Sequence, residues 1–481
     1  MQNHPLMNNF KTAWLGLLGA MLLSSCTAFY TQAPKLPDVA LMEPTLTPST
    51  AIDPQWWKQL NDAQLNQLID QALQNSPSLK TADTRIENAK AMIAANRSVL
   101  FPQIGINTQL NRQELSKNYI FLPGMDPVTS YGLVSLNFDW SLDLWGKQKH
   151  LLDGSKYSFV SAQAQLDAAK LGLTMGIVSA YIEFDYAMKV SQLAQTDVAA
   201  SSKLLEIARE RYQKGLIDQV MLQAQEVDHN TYLNQLVMAQ KMIALLRHQI
   251  AALVGQGPSF GEQIRDAHLN PQGITQTPLG KIPSDLVARR PDLQGLLSQI
   301  YANHADLKAA HLDYLPSFDL VGNVGFQAFG LSQLINSNSQ IYSLGPVINL
   351  PIFNAGKIDA NVSAKSALTD QAIADYSEQL IVALKESADG ITGVKAASAA
   401  LQYAEQTDRA AKKVFDIYQQ RFHAGLMSKE QIEKAKIDFD RYQVNLVLVE
   451  KNVLNAHLQL IQALGGGYIA NDSSQQLSSQ H

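Results

Sequence analysis

Two spacings of apolar residues take turns along this chain, and each switch between them marks an element boundary. Behind Pro54, Trp56 and Trp57, the residues Leu65, Leu68, Ile69, Ala72 and Leu73 recur every three or four positions. That spacing predicts an amphipathic helix capped by Asn61 or Asp62. A second helix begins near Pro77, carries Leu79, Ile86, Ala89 and Ile93, and runs to about Leu100, where Pro102 stops it. Past that proline the period falls to two. Ile104, Ile106, Thr108 and Leu110 alternate with Gln103, Gly105, Asn107, Gln109 and Asn111. Val134, Leu136, Phe138, Trp140, Leu142 and Leu144 alternate with Ser135, Asn137, Asp139, Ser141 and Asp143. One apolar face and one wet face, held over about ten residues, is what a strand crossing a membrane requires. Between the two strands, Glu114 to Tyr131 contains Pro123-Gly124 and Asp126-Pro127, the turn chemistry of an external loop.

The period then lengthens again and stays long. No proline falls between Gly146 and Gly215, so one helix of about 69 residues would extend roughly 100 Å. Leu171, Met175, Val178 and Ile182 are typical of its apolar stripe, with Ala frequent between them. A shorter helix returns after the glycine, from Asp218 to about Leu253. Helices of this length seldom stand alone, so coiled-coil-like packing is expected.

The whole order is then repeated. Phe318, Leu320, Val324 and Phe326 alternate with Asp319, Asn323 and Gln327, and Tyr342, Leu344, Ile348, Leu350 and Ile352 form the returning strand's apolar set. Gly345-Pro346 predicts a bulge or bend there, and Phe329 to Gln340 is a second external loop. RYQKGL at Arg211 returns as RFHAGL at Arg421, and LDLWGK ending at Lys147 returns as IFNAGK ending at Lys357, both 210 positions on (421 − 211 and 357 − 147). One unit of about two hundred residues has been duplicated. Four strands are too few to close a barrel, so several chains must contribute.

The amino terminus fixes the compartment. Lys11 precedes an apolar stretch, Ala13 to Leu23, that is too short to span a bilayer and runs into Leu23-Ser24-Ser25-Cys26, a bacterial lipobox. Cys26 is the chain's only cysteine, which leaves no disulfide framework and makes it the expected lipidation site. Thr27 behind it resembles a signal for outer-membrane delivery. The expected organisation is a signal peptide (1–25), a lipid-anchored extended leader (26–60) and two repeats. Repeat one (61–270) holds a β-hairpin at 103–145, a long helix at 147–214 and a return helix at 218–254. Repeat two (271–468) holds a helix at 284–313, a β-hairpin at 317–353, a long helix at 357–424 and a return helix at 428–464. A polar, disordered tail (469–481) ends the chain. Net charge is −5 with both signs dispersed, so nothing recommends nucleic acid as a partner. HExxH, GxSxG and phosphate-loop motifs are missing, and His304 and His311 lack a third metal ligand, so no catalytic residue, cofactor or metal is expected.

Five strings carry a resemblance: VARRPDL (Val287 to Leu293), YLPSFDLVGNVGF (Tyr314 to Phe326), LGPVINLPIFNAGKI (Leu344 to Ile358), RYQKGL and RFHAGL. Together they are similar to the outer-membrane efflux proteins related to TolC, in the lipoprotein branch that includes OprM and the NodT type. The resemblance runs from Trp56 to Tyr468. It implies an α+β membrane protein, a homotrimer in which four strands per protomer build a twelve-stranded β-barrel continued by a periplasmic helical barrel. It also implies a passive exit duct for small molecules such as drugs or toxic compounds. The implied partners are a periplasmic adaptor, an inner-membrane proton-driven transporter and the lipid of the outer membrane. A conduit for type I protein secretion is an alternative within the family, and a non-conducting periplasmic lipoprotein scaffold is another, against which the strand alternation counts.

In the family the periplasmic tips lie at the helix turns, here Lys214-Gly215-Leu216-Ile217 and Ala424-Gly425-Leu426-Met427. Gly215 and Gly425 supply the left-handed geometry that ends a helix. Leu216 and Leu426 beside them are the expected knobs for the adaptor's helical hairpin. Related channels place acidic residues just after the second turn, lining a constriction. Six and nine residues past Gly425 this chain has Gln431 and Lys434, so the carboxylates at hand are Glu430 and Glu433, with Arg211, Asp218 and Arg421 close by in sequence. A ring of such carboxylates would favour cations.

Overall fold

The computed structural model describes residues 33–37, 52–114, 116, 128–269 and 290–468. Cys26, most of the leader, the turn chemistry at 123–127, the residues expected to open a helix at 284 and the tail lie outside the described residues. Two compact units result, and neither is a repeat. Among the described residues, one comprises 33–36, 86–114, 116, 128–161 and 296–376; the other comprises 37, 52–85, 162–269, 290–295 and 377–468. Each takes part of both repeats.

The first unit is built on a sheet of four antiparallel strands, β1 (Gln103–Glu114), β2 (Val128–Ser141), β3 (Ser317–Phe329) and β4 (Gln340–Asn349), in that spatial order. Register turns the period-two pattern into rows. Ile106, Leu136, Val324 and Tyr342 lie side by side across all four strands, and one residue along, Gly105, Asn137, Asn323 and Ser343 do the same on the opposite face. The apolar row is exposed in the single chain, so this face has no protein beneath it. Gly325 sits where a Cβ would lie 2.1 Å from the carbonyl oxygen of Val134, so no side chain fits between β2 and β3 there. β1 and β4 are edges, with unpaired backbone donors and acceptors along one side.

The strands end sooner than the alternation suggests. β2 stops at Ser141 because Asp143 turns away to cap the next helix, accepting from Gln148 N–H at 3.0 Å and Lys149 N–H at 2.9 Å. β4 stops at Asn349, ahead of Pro351, which leaves Leu350 and Ile352 beyond it; Ile352 is 92 % exposed. Nor does Gly345-Pro346 make a bulge. Val321 pairs with Gly345 and Leu320 with Pro346 in unbroken register, which an edge strand permits for a residue that lacks an N–H.

Among the described residues the α-helices longer than four residues are α1 (Ala63–Asn75), α2 (Pro77–Ser98), α3 (Lys147–Gln213), α4 (Gln219–Leu253), α5 (Pro291–His311), α6 (Lys357–His423) and α7 (Lys429–Ala463). α3 and α6 are each 67 residues long and α4 and α7 each 35. Every start and end of the second pair falls 210 positions after its counterpart in the first (357 − 147, 423 − 213, 429 − 219, 463 − 253). Of the two candidate caps for α1, Asp62 does the work, accepting from Leu65 N–H at 2.9 Å, while Asn61 is left-handed and closes the preceding 3-10 turn. The second Asp62 oxygen accepts from the Tyr181 hydroxyl and from His268 N–H, each at 3.0 Å, which ties α1 to α3. Around that tie lies the core of the second unit, where Trp56, Leu60, Leu65, Ile69, Ile177, Tyr181, Phe184 and Ile250 are fully buried. Burying each aliphatic side chain contributes about 1.5–3 kcal/mol. Among the described residues no helix is long and apolar enough to cross a membrane.

Candidate functional site: the helix turns and the seam behind them

Each long helix ends in the same way. Gly215 and Gly425 have φ of 69° and 74°. Leu216 N–H reaches back to Arg211 C=O and Leu426 N–H to Arg421 C=O, both at 2.9 Å, while each glycine N–H bonds the carbonyl three residues before it. This six-to-one closure satisfies helix carbonyls that would otherwise be orphaned. In such closures an apolar residue past the glycine usually packs back onto the last turn. Here the facing residue is an arginine, and Leu216 and Leu426 stay 64 % and 78 % exposed. The leucines do not serve their own helix end.

The return helices are capped two residues on from each leucine. Asp218 caps α4 by accepting from Met221 N–H at 2.8 Å, and Ser428 caps α7 in a reciprocal box with Gln431. Gln431, six residues past Gly425, is therefore held in the cap. Lys434, nine residues past it, donates to Glu430 at 2.8 Å. Glu430 also receives Arg211 at 2.6 Å, and Lys203 binds Glu433 at 2.9 Å. The hydrogen bond from Lys434, reinforced by Arg211, holds the Glu430 carboxyl below the usual carboxylate range. The structure thus brings Arg211, Glu430 and Lys434 together, gives Glu433 a cation of its own, and places Asp218 as a cap. Lys203 escaped sequence reading because it lies 230 positions from its partner, and only the fold joins them.

The same seam continues upward between α3 and α7. Asp440 is wholly buried and receives Lys436 and, at 2.6 Å, the Thr196 hydroxyl. Next to it Asp197 has an oxygen buried without a hydrogen-bond partner among the described residues. Burial, then the Asp440 charge, push the Asp197 carboxyl up to about 7. Farther along, Lys451 donates to Glu183 at 3.1 Å. On its other flank α3 meets α4, through Arg209 with Glu226 and Ser201 with His229, and α7 meets α6, where Phe415 and Phe439 stack at 5.4 Å. The four helices lie side by side in the order α4, α3, α7, α6.

The VARRPDL string has a structural use in its described part. Arg290, 7 % exposed, gives Nε and Nη2 to Asp292, and Nη1 to Glu386 at 2.6 Å and to the Ala463 carbonyl at 3.3 Å. Burial alone would raise the Asp292 carboxyl, but the Arg290 hydrogen bonds and charge outweigh it and hold it low. Among the described residues no group of three or more His, Asp or Glu could hold a metal ion, and His311 uses Nδ1 on the Leu307 carbonyl.

The family profile of outer membrane efflux proteins matches this chain over residues 68–256 and 282–466, one stretch in each repeat. The chain belongs to the outer membrane efflux protein family. Among relatives of this efflux protein, multidrug resistance outer membrane protein MdtQ of Escherichia coli O157:H7 is 27 % identical over 448 residues, 90 % of this chain and 91 % of that one. The solved outer membrane protein VceC of Vibrio cholerae is 27 % identical, with a TM-score of 0.76 over 86 % of this chain and 99 % of that one. The Campylobacter jejuni CmeC outer membrane channel shares the fold, with a TM-score of 0.80 at 22 % identity over 94 % and 97 % of the two chains. The efflux protein accordingly has the α+β fold of TolC-like channels and is an outer-membrane exit duct of an efflux pump. The family is one of channel proteins rather than enzymes.

Proposed function

We propose that three copies of this chain form the duct, each lending its four strands to a twelve-stranded barrel, and that the duct carries drugs or other toxic small molecules outward from a periplasmic adaptor and a proton-driven inner-membrane transporter. The observation that carries this reading is the sheet: apolar side chains aligned in rows on one face, polar ones on the other, and two open edges. An edge left open in a membrane strands its backbone hydrogen bonds, so closure by further copies is the stable outcome. Such a duct stores no energy and uses no cofactor. Cys26 carries the lipid that anchors the leader in the outer membrane.

The exposed leucines at the two turns dock the adaptor. They are apolar, repeated and unused by their own helix ends, which fits an apolar knob awaiting a partner helix. Behind them, Arg211, Asp218, Arg421, Glu430 and Glu433 surround the constriction. Because Glu430 and Glu433 are each met by a cation, the tip is close to neutral and selects weakly among ions. The test is conductance of the purified oligomer in planar lipid bilayers. Discrete channels support the duct, and a stable trimer that never conducts would sink it.

A further inference from the structure

Away from the turns, the second unit leaves two cations unanswered. Arg247 lies 28 residues along α4 (247 − 219), about 40 Å from the start of that helix. Its guanidinium carbon stands 5.5 Å from the ring centre of Phe184, which is fully buried. Its Nε–H is sealed from water and has no hydrogen-bond acceptor among the described residues. A buried donor on a charged group is costly to leave unmade, so the acceptor must come from outside the chain.

The neighbouring wall is pinned in place. Gln64, at the start of α1, accepts from Arg265 N–H at 2.9 Å and returns its Nε2 to the Arg265 carbonyl at 3.1 Å, while His268 N–H bonds Asp62 at 3.0 Å. Ile264, Ala267 and Leu269 are buried, which leaves Arg265 and Asp266 exposed, with Glu262 before them. Between this strap, the start of α1 and Arg247 lies a cleft of about 760 Å³. That is room for a small molecule. Arg247 and Arg265 both line it, and neither makes an ion pair among the described residues. Asp62 lines it too, but its oxygens are taken by Leu65 N–H, the Tyr181 hydroxyl and His268 N–H. Glu262 and Asp266 complete the lining, and they are equally without a cation.

We propose that this cleft binds a small zwitterion, an amino acid or short peptide, with its carboxylate on Arg247 and Arg265 and its ammonium on Glu262 and Asp266. A guanidinium presents paired N–H donors that match the two oxygens of a carboxylate. Phe184 holds the Arg247 head before the ligand arrives, so little ordering is lost on binding. The two acids argue against a polyanion such as phosphate. Such an ion gains from the two cations and loses to the two carboxylates, whereas a zwitterion gains from both. The site is remote from the turns along α4, and it stands or falls separately from the duct.

The test is calorimetry on the full-length, detergent-purified oligomer. The probes are trialanine, trialanine amide (no carboxylate), N-acetyl-trialanine (no ammonium) and inorganic phosphate. Trialanine should bind about ten-fold or more tightly than either blocked form, and phosphate no better than those. Arg265→Gln, whose side chain has no partner to lose, should weaken trialanine about ten- to hundred-fold with the melting temperature unchanged. Arg247→Lys, which keeps the charge and loses the fork, should weaken it too. Glu262→Gln with Asp266→Asn should weaken trialanine yet tighten N-acetyl-trialanine. Equal binding of trialanine and its amide would overturn the role of the arginines. Phosphate bound as tightly as trialanine would leave an anion site and overturn the zwitterion. No binding of any probe to an oligomer that conducts in bilayers would leave Arg247 served by water; the site would then be overturned while the duct stands. Binding by an oligomer that never conducts would sink the duct and keep the site.

Discussion

Replacing Arg290 tests whether the buried ion pair at the start of α5 organises the second unit. The guanidinium makes four hydrogen bonds, two of them to Asp292 as a fork, and its side chain is nearly sealed from water. Arg290→Ala removes them all and leaves Asp292 part-buried beside Gln379 and Leu293 N–H as its remaining donors. Breaking one side of a buried pair costs about 3–5 kcal/mol, and with a third of the Asp292 side chain open to water the lower end, about 3 kcal/mol, applies. In a unit of this size each kcal/mol moves the melting midpoint by about 2–4 °C, so a fall of about 10 °C is expected in the helical circular dichroism of the detergent-purified protein. Arg290→Lys keeps the charge and loses the fork, so it should fall part of the way. Arg290→Met with Asp292→Leu, which removes both charges, should recover most of the loss, because the cost lies in the stranded carboxylate rather than in missing volume. The effect also has a pH signature. A carboxyl held low in the folded state contributes stability above its unfolded value near 4 and loses it as pH falls through its folded value. The gap between wild type and Arg290→Ala should therefore narrow only in strongly acidic buffer. Melting within about 2 °C of wild type for both Arg290→Ala and Arg290→Lys would refute the reasoning.

Other outcomes follow from the same structure. Asp197 is the opposite case: its carboxyl is raised, so the native state loses stability as pH climbs from about 4 through about 7, and Asp197→Asn should stabilise the protein at pH 8 yet change nothing at pH 4. With the group half in water, screening brings the gain down to about 1–2 kcal/mol, read as a rise in melting temperature of a few degrees. Leu216→Ser with Leu426→Ser should leave trimer yield intact while lowering cross-linking to the cognate adaptor and resistance to exported compounds; full resistance would remove the docking role. Glu430→Ala with Glu433→Ala leaves Arg211, Lys203 and Lys434 uncompensated, so reversal potentials should shift towards anions, and unchanged selectivity would move the constriction elsewhere. Gly325→Ala forces a Cβ onto the Val134 carbonyl and should abolish the assembled barrel, seen as loss of the trimer on mild electrophoresis.

Much of the fold is written in local signals, and those are the parts the sequence displays. Period two marks the strands, absence of proline marks the long helices, and Gly215 and Gly425 mark their ends, because each rule acts within a few residues. Strand ends are less visible, since Asp143 and Pro351 cut the alternation short for reasons of capping and ring geometry that a polarity pattern ignores. The chemistry behind the tips was least visible. Glu430, Glu433 and Arg211 stand out as charges near a turn, and Lys434 lies one helical turn from Glu430, but nothing local tells that Lys203 neutralises Glu433. Asp197 and Asp440 lie 243 positions apart in sequence (440 − 197), and their adjacency follows from α3 packing on α7. The VARRPDL string announced itself as a family mark, yet its use as a buried fork needed Glu386 and the end of α7 alongside.

Duplication explains why the two halves agree in some places and differ in others. Helix ends, caps and the exposed leucine depend on residues within one turn of each other, so a copied segment keeps them, as the constant offset of 210 shows. A seam depends on residues far apart in sequence, and there the copies differ. Glu430, Glu433 and Asp440 on α7 meet donors on α3, whereas the residues 210 positions before them on α4 are Val220, Gln223 and Asn230, none of them charged. A copied segment carries its own turn with it, but a pairing between two helices survives only where both partners are kept. That is why the α3–α7 ion pairs have no image 210 positions away, while the helix ends do.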